Sequence, residues 1–364
     1  RFRPADFIQS ATEGVAHRFD SEIPYEAAPT TDRQRRLIEH VRTYYRPDDL
    51  GTAADDPAAL LPLSTLEPKA LSGDTYTLAF TPGLLDQVYR QDDEALITDP
   101  AAVLGSRGPD GGGYVDLDDD HHWWIPSGRV FYAPDPEATA AQELSHARNH
   151  FFLRHRYRDP FHTTGITTES FVTYDDHNLL VVETRDALGN RVTVGERTPT
   201  GEIEPDVVGN DYRVLRPRQV MDPNRNRGQV LFDALGLVVS TALMGKAGED
   251  LGDSLDGLDA DLTDAMVLNH LLDPVSDPHA ILGSATTRLI YDAFAYARTQ
   301  HLAEPEPPVV YTLARETHDA DLADGEETRI LQSVTYSDGF GREIQTKMRA
   351  EAGPAPRRDA DGAI

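Results

Sequence analysis

Two histidines one helical turn apart, in the run His146-Ala147-Arg148-Asn149-His150, are the first residues whose type and spacing could do chemistry. Imidazoles at i and i+4 on a helix face have the spacing that two zinc ligands need. Glu143, three residues earlier, would complete a Glu/His/His set. The metalloprotease pattern, however, needs Glu where Ala147 stands, so its general base is missing and a surface helix is the plainer reading. Asp116, Asp118, Asp119 and Asp120 beside His121 and His122 suggest a loop for a hard cation. The EF-hand pattern wants Gly at its sixth position and Glu at its twelfth, where this chain has His121 and Ser127. The series Asp250, Asp253, Asp256, Asp259, Asp261, Asp264 also lacks the loop glycine, and both acidic stretches read as solvated faces or loops. Trp123 and Trp124 could line a carbohydrate or partner surface, but alternation along a strand predicts one buried and one half-exposed.

Other chemistries are missing their residues. The sequence has no cysteine, which excludes disulfides, thiolate metal sites and cysteine nucleophiles. No Gly-x-Ser-x-Gly elbow is present, and Gly111-Gly112-Gly113 lacks the Lys and helix of a phosphate loop. Carboxylates are too many, 62 in 364 residues, for any pair to stand out as a glycosidase dyad. The expectation is therefore a non-enzyme with no cofactor and no metal, His146, His150 and Glu143 being the only metal-site candidates.

A net charge of −28 repels phosphate backbones and argues against nucleic-acid binding. Its plain meaning is solubility or salt adaptation, and a sharper one is an acidic wall suited to a basic cargo. No signal-peptide pattern or apolar run of membrane-spanning length is present, so no membrane contact is expected. The chain starts at Arg1 and ends in a polar, proline-broken stretch, from which an internal piece of a longer protein is expected.

The elements that would position these residues follow from periodicity. Thr31 or Asp32 caps a predicted helix over 31–50, with Leu37, Ile38, Val41, Tyr44 and Tyr45 on its apolar face. Residues 76–80 read as a strand, and Thr81-Pro82 as the start of a short helix. Residues 105–113 read as an exposed loop, Trp123-Trp124-Ile125-Pro126 and Arg129-Val130-Phe131-Tyr132 as strands, and 137–152 as a helix buried through Ala140, Leu144, Ala147 and Phe151. From Phe171 onward β-branched runs separated by Asp/Gly/Asn turns dominate, interrupted by a helical interlude over about 258–300; strands return at 309–317 and 329–349.

The informative feature is a recurrent turn. Asp186-Ala187-Leu188-Gly189-Asn190, Asp233-Ala234-Leu235-Gly236 and Asp338-Gly339-Phe340-Gly341 share Asp-x-x-Gly between apolar, β-rich flanks, and Asp222-Pro223-Asn224-Arg225-Asn226 keeps Asp and Asn with Arg225 in the Gly position. Asp opens a type I turn by accepting backbone N–H groups, and Gly then takes the left-handed conformation that lets the second strand pair. Arg225 would cost about 1 kcal/mol there, so Asn224 or Asn226 is expected to take the left-handed position.

These turns, with Tyr174-Asp175 one strand ahead of the first, make the elementary unit of YD repeats. Together with Asn210-Asp211-Tyr212-Arg213, Thr287-Arg288, Tyr291-Asp292, Leu313-Ala314-Arg315 and, more loosely, Leu78-Ala79-Phe80-Thr81-Pro82-Gly83 and Trp123-Trp124-Ile125-Pro126, they resemble the middle region of the B component of insecticidal toxin complexes, whose shell is built of Rhs/YD repeats. The resemblance implies a mainly β fold of antiparallel hairpins with several helical insertions. It divides the chain into a mixed α/β segment over 1–165, hairpins over 166–257, a helical insertion over 258–305, hairpins over 306–350 and a polar tail over 351–364. It also implies a secreted parent, a C-type partner carrying a toxic effector that B and C enclose, and an A-type pore met through parts outside this chain. The remaining readings are a wall-associated YD-repeat adhesin and a glycan-active enzyme using carboxylates on the β scaffold.

Overall fold

Alternating and β-branched segments dominate the sequence, and in the computed structural model they form a mainly β protein with large antiparallel sheets and several short helices. The structure describes residues 21–30, 34–105, 111–163, 165–338 and 340–354. The expectations for Thr31, Asp32, residues 106–110, Gly339 and the end of the tail lie outside them. The chain divides into two units, residues 1–173 with 184–190, and residues 174–183 with 191–364.

In the first unit, Val41–Tyr45 (β1), Ser72–Phe80 (β2), Val115–Asp116 (β3) and Trp123–Pro126 (β4) form an antiparallel sheet in the order β1-β2-β4-β3. After β2, Pro82–Val88 (α1) begins where Thr81 Oγ1 accepts the Leu84 N–H at 3.1 Å, and Pro82 takes a first-turn position that needs no donor. Arg129–Phe131 (β5), Arg156–Arg158 (β6) and Glu169–Tyr174 (β7) pair antiparallel in that order. A capping box of Thr139 and Gln142 starts Ala140–Asn149 (α2), which packs Leu144 and Ala147 against Leu50, Leu71 and Tyr132.

Four expectations fail in this unit. The helix expected over 31–50 is absent from the described residues: Gln34–Arg36 pairs parallel with Ser21–Ile23, and 41–45 is strand β1. The same Val and Tyr residues that mark a helix face at three-four spacing also suit a pleated surface, and β2 offers hydrogen bonds and an edge contact of Tyr44 on Tyr76. Ile38, 73% exposed, shows that no helical apolar face forms. The second helix stops at Asn149, and Phe151, at φ 53°, turns outward while Phe152 packs on the core. Both tryptophans are buried rather than one: His40 and the Arg42 guanidinium cover Trp124, and the Gly105 backbone lies against Trp123. Gly113, expected in an exposed loop, is likewise buried against Phe161.

Strand Val181–Arg185 (β8) begins in the second unit, which continues after residue 190 with Arg191–Val194 (β9), Gln219–Met221 (β10), Arg227–Phe232 (β11) and Val238–Met244 (β12). The chain then forms helices Asp264–Leu272 (α3) and Pro278–Leu282 (α4), strand Thr287–Asp292 (β13), helix Ala295–Thr299 (α5), and strands Val309–Arg315 (β14), Ile330–Ser337 (β15) and Glu343–Met348 (β16). From β9 to β16 each strand pairs antiparallel with the next, an eight-strand ribbon in sequence order. The stretch 258–305 is thus not all helix, because β13 runs through it. Its residues alternate in burial, with Arg288, Ile290 and Asp292 inward, and the extended form lets Ile290 join Tyr311, Leu313 and Leu282 in a core that Val267 and Leu271 of α3 complete. At the far end of the ribbon all six residues of β16 are exposed.

Candidate functional site

The recurring corners share one hydrogen-bond pattern. At Asp186 the backbone N–H donates to Asn190 O at 3.0 Å, and the Gly189 N–H donates back to Asp186 O at 3.1 Å. The same two bonds close Asp222 with Asn226 and Arg225, and Asp233 with Leu237 and Gly236; Asp338 N–H likewise donates to Arg342 O. Gly189, Gly236 and Gly341 have φ of 85°, 82° and 82°, the left-handed region where a Cβ is disfavoured. Each Asp side chain finishes its corner: Asp186 Oδ1 accepts the Leu188 and Asn190 N–H groups, and Asp233 Oδ1 those of Leu235 and Leu237. The fifth residue locks the other carboxylate oxygen, through Asn190 Nδ2 at 2.8 Å, Asn226 Nδ2 at 3.0 Å and Arg342 Nε at 2.6 Å. The Asn190 amide and these N–H groups hold the Asp186 carboxyl below its usual range; the Phe340 N–H and Arg342 do the same for Asp338.

The Asp222 corner corrects the expectation for its neighbours. Arg225 itself takes the left-handed conformation, at φ 73°, and neither Asn224 nor Asn226 does. Asn226 is committed to the Asp222 carboxylate through both its N–H and its side chain, and Arg225 gains a bond to Arg197 O at 3.2 Å. A further corner escaped the sequence pattern because Asn178 stands where Gly was sought. Asp175 accepts the Asn178 N–H, Asn178 has φ 54°, and Tyr212 donates its hydroxyl to Asp175 Oδ2 at 2.8 Å.

The histidine and acidic clusters are not ligand sets. Glu143 is saturated: Arg46 clasps both its oxygens at 2.8 and 2.9 Å, the Tyr132 N–H donates to Oε1 at 2.7 Å, and the ion pair is buried. The His146 and His150 rings stack face to face, 3.8 Å apart and 12° from parallel, so their lone pairs cannot converge on one ion, and His150 Nδ1 is engaged by His146 O. His155 lies edge-on to His146 at 4.7 Å; burial and the two neighbouring imidazoles push its pKa down to about 4. Asp116 accepts the Asp120 and His121 N–H groups, and Asp118 pairs with Arg42. Among the described residues no group of three or more His, Cys, Asp or Glu could hold a metal ion.

Not all of the second acidic series is a solvated face. Asp253 is buried and binds the Thr286 hydroxyl, the Asp319 N–H, His318 Nδ1 and Arg315, tying the 250s loop to the residues flanking β13 and β14. Asp261 accepts the Ala234 N–H at the tip of the Asp233 corner. Nothing in the spacing of these acids distinguishes the buried Asp253 from its exposed neighbours. In the first unit Glu169 plays a comparable part, paired with Arg156 and, at 2.7 Å, with Arg158.

Fold and corners together define a ribbon protein, consecutive antiparallel strands turned by aspartate-led corners, with polar side chains spent on structure. No family model matches the sequence, and no curated protein does. Among solved structures the fold is similar to the crystal structure of TcdB2-TccC3, a Tc toxin B–C assembly, with a TM-score of 0.51 and 24% identity over 89% of this chain and 13% of that one. It is similar too to TcdB2-TccC3-Cdc42, with a TM-score of 0.51 and 21% identity over 92% of this chain and 16% of that one. At these identities the likeness is one of fold, and this chain spans less than a fifth of either structure's chain.

Proposed function

We propose that the chain is a wall segment of a toxin-complex B-type protein, which closes with a C-type partner around a toxic effector and passes it to an A-type pore. The carrying observation is the eight-strand ribbon with its repeated corners, in a fold similar to part of a B–C assembly over 89% of the chain. A wall built this way extends strand by strand, and the exposed β16 at the ribbon's end has an edge that pairs with no other strand among the described residues, as such an extension needs. The segment acts by exclusion: its polar groups close corners and ion pairs, so it holds its cargo with a surface. The parent is then a secreted protein, and the A-type component meets regions outside this chain.

The test is to co-express the intact parent polypeptide with its C-type neighbour, image the complex, and measure protease protection of the neighbour's effector region. An enclosed cavity with a protected effector is expected. Failure of the two chains to associate, or an effector digested as fast as the free one, would overturn the proposal.

A further inference from the structure

The strands from β12 to β16 have two sides of different chemistry. On one side Ile290, Tyr311 and Leu313 pack under α3, α4 and the loop before them, through Leu258, Val267 and Leu282. That covering layer turns acids to water, with Asp256, Asp259, Asp264, Asp273 and Asp277 all exposed. Among the charged residues within these strands, Arg288, Asp292, Arg315 and Lys347 fall on the same side, since successive side chains alternate across a sheet.

The other side carries no charge where the strands pair in regular register. Thr241 of β12 faces Thr287 of β13 with their hydroxyls 2.6 Å apart. Leu289 pairs with Thr312 of β14, and Thr312 with Ser333 of β15. Thr335 faces Thr346 of β16, hydroxyls 3.0 Å apart, so every strand sets a threonine on this side. The one carboxylate of these strands that reaches it, Glu343 at the β16 bulge, accepts the Thr346 hydroxyl at 2.7 Å. The larger apolar groups here, Leu243, Leu331 and Met348, are 57%, 45% and 73% exposed, so no described element covers them.

Charge selects the occupant. Two copies of a chain with net charge −28 repel each other. A folded partner with a fixed charge pattern gains neither steering nor register from a surface without charges. An extended polypeptide carries both signs along its length, and hydroxyl and aliphatic groups meet each stretch of it alike. Threonine hydroxyls already bonded to each other hold such a chain weakly, so it can move along the surface and leave it.

We propose that the uncharged side of β12 to β16 is the cavity-facing side of the wall and contacts the effector as an extended polypeptide, while the acidic helical layer faces outside. This side assignment rests on the chain being a shell wall.

The sequence has no cysteine, so introduced thiols report each side separately. Leu243→Cys and Met348→Cys place one on the uncharged side, and Leu272→Cys, 84% exposed at the end of α3, places one on the acidic layer. The test labels the intact parent, cleared of cysteines outside this chain, with a maleimide-polyethylene glycol too large to enter a closed shell. Labelling is followed with and without the C-type neighbour, alongside protease protection of the effector. Complex formation should suppress labelling at Leu243→Cys and Met348→Cys and leave Leu272→Cys unchanged. The photo-crosslinker p-benzoylphenylalanine in place of Leu243 or Met348 should join the effector, and in place of Leu272 should not; this second measurement needs no cysteine removed. Suppression only at Leu272→Cys, equal labelling at all three around a protected effector, or crosslinks only from the acidic layer would each overturn the side assignment alone. An effector digested as fast as the free one would overturn the shell reading, and the side assignment with it.

Discussion

The two units of this chain solve the same problem differently. The first buries whole ion pairs, Arg46 with Glu143 and Arg156 with Glu169, beside a helix-backed apolar cluster and a stack of imidazoles. The second has one such pair, Arg315 with Asp253, and otherwise repeats one corner that spends the Asp222, Asp233 and Asp338 carboxylates on backbone N–H groups at the surface. A buried pair is intolerant of losing either member, because the survivor stays charged away from water. A corner shared among several short hydrogen bonds loses only a fraction of its stability at a time. Damage should therefore be concentrated in the first unit and graded in the second. Both tryptophans lie in the first unit, so indole fluorescence reports on it separately, while hydrogen exchange resolved by peptide follows the second.

The sharpest break is Glu143→Leu, which strands Arg46 in the core. Urea unfolding followed by fluorescence should show a loss of about 3–5 kcal/mol, most of it recovered when Arg46→Met is added. If the double variant is no better than the single one, the pair is not the cause.

Acid comes next. His155 titrates near 4 in the folded chain against about 6.5 for an ordinary histidine, so between those values the unfolded chain binds the extra proton. Stability from this group is complete above pH 6.5 and falls as the pH drops toward 4, by about 3 kcal/mol in all. His155→Phe should flatten the fluorescence-detected stability profile in that window; an unchanged slope would assign the acid response to other groups.

Among the glycines, Gly236→Val should cost about 2 kcal/mol or more, since φ is 82° and a Cβ would sit 2.8 Å from Val214 Cγ1. Gly189→Val, with φ of 85° but open space around it, should cost about 1–2 kcal/mol. Gly165→Val has neither a left-handed backbone nor a neighbour within 4 Å and should stay within about 0.5 kcal/mol. Equal losses at all three would remove the role assigned to the corners. The smallest effect has the opposite sign: Arg225→Gly should stabilise the Asp222 corner by about 0.5–1 kcal/mol, read as slower exchange of the β10 and β11 amides.

Much of the ribbon was legible because its signals are local. Asp accepts N–H groups two and four residues on, Gly alone enters the left-handed region without strain, and β-branched runs mark the strands between. Where a signal was shared by two structures, the local reading failed. Val41, Tyr44 and Tyr45 fit a helix face and a strand equally, and β2 decided between them. Thr287 to Asp292 sat among helical neighbours and became a strand because β14 pairs with all six of its residues. Glu143 stood at ligand spacing from His146, yet Arg46, 97 positions away, had already claimed it.

What the sequence determined by itself is the set of corners and the strands they separate, since those depend on bonds closed within five residues. Tertiary structure alone decided which charges would be buried and which would find a partner, as Arg46 found Glu143 and Arg315 found Asp253. The physical reason is range: a turn is chosen by its own atoms, whereas the cost of a buried charge is set by whatever distant chain folds over it.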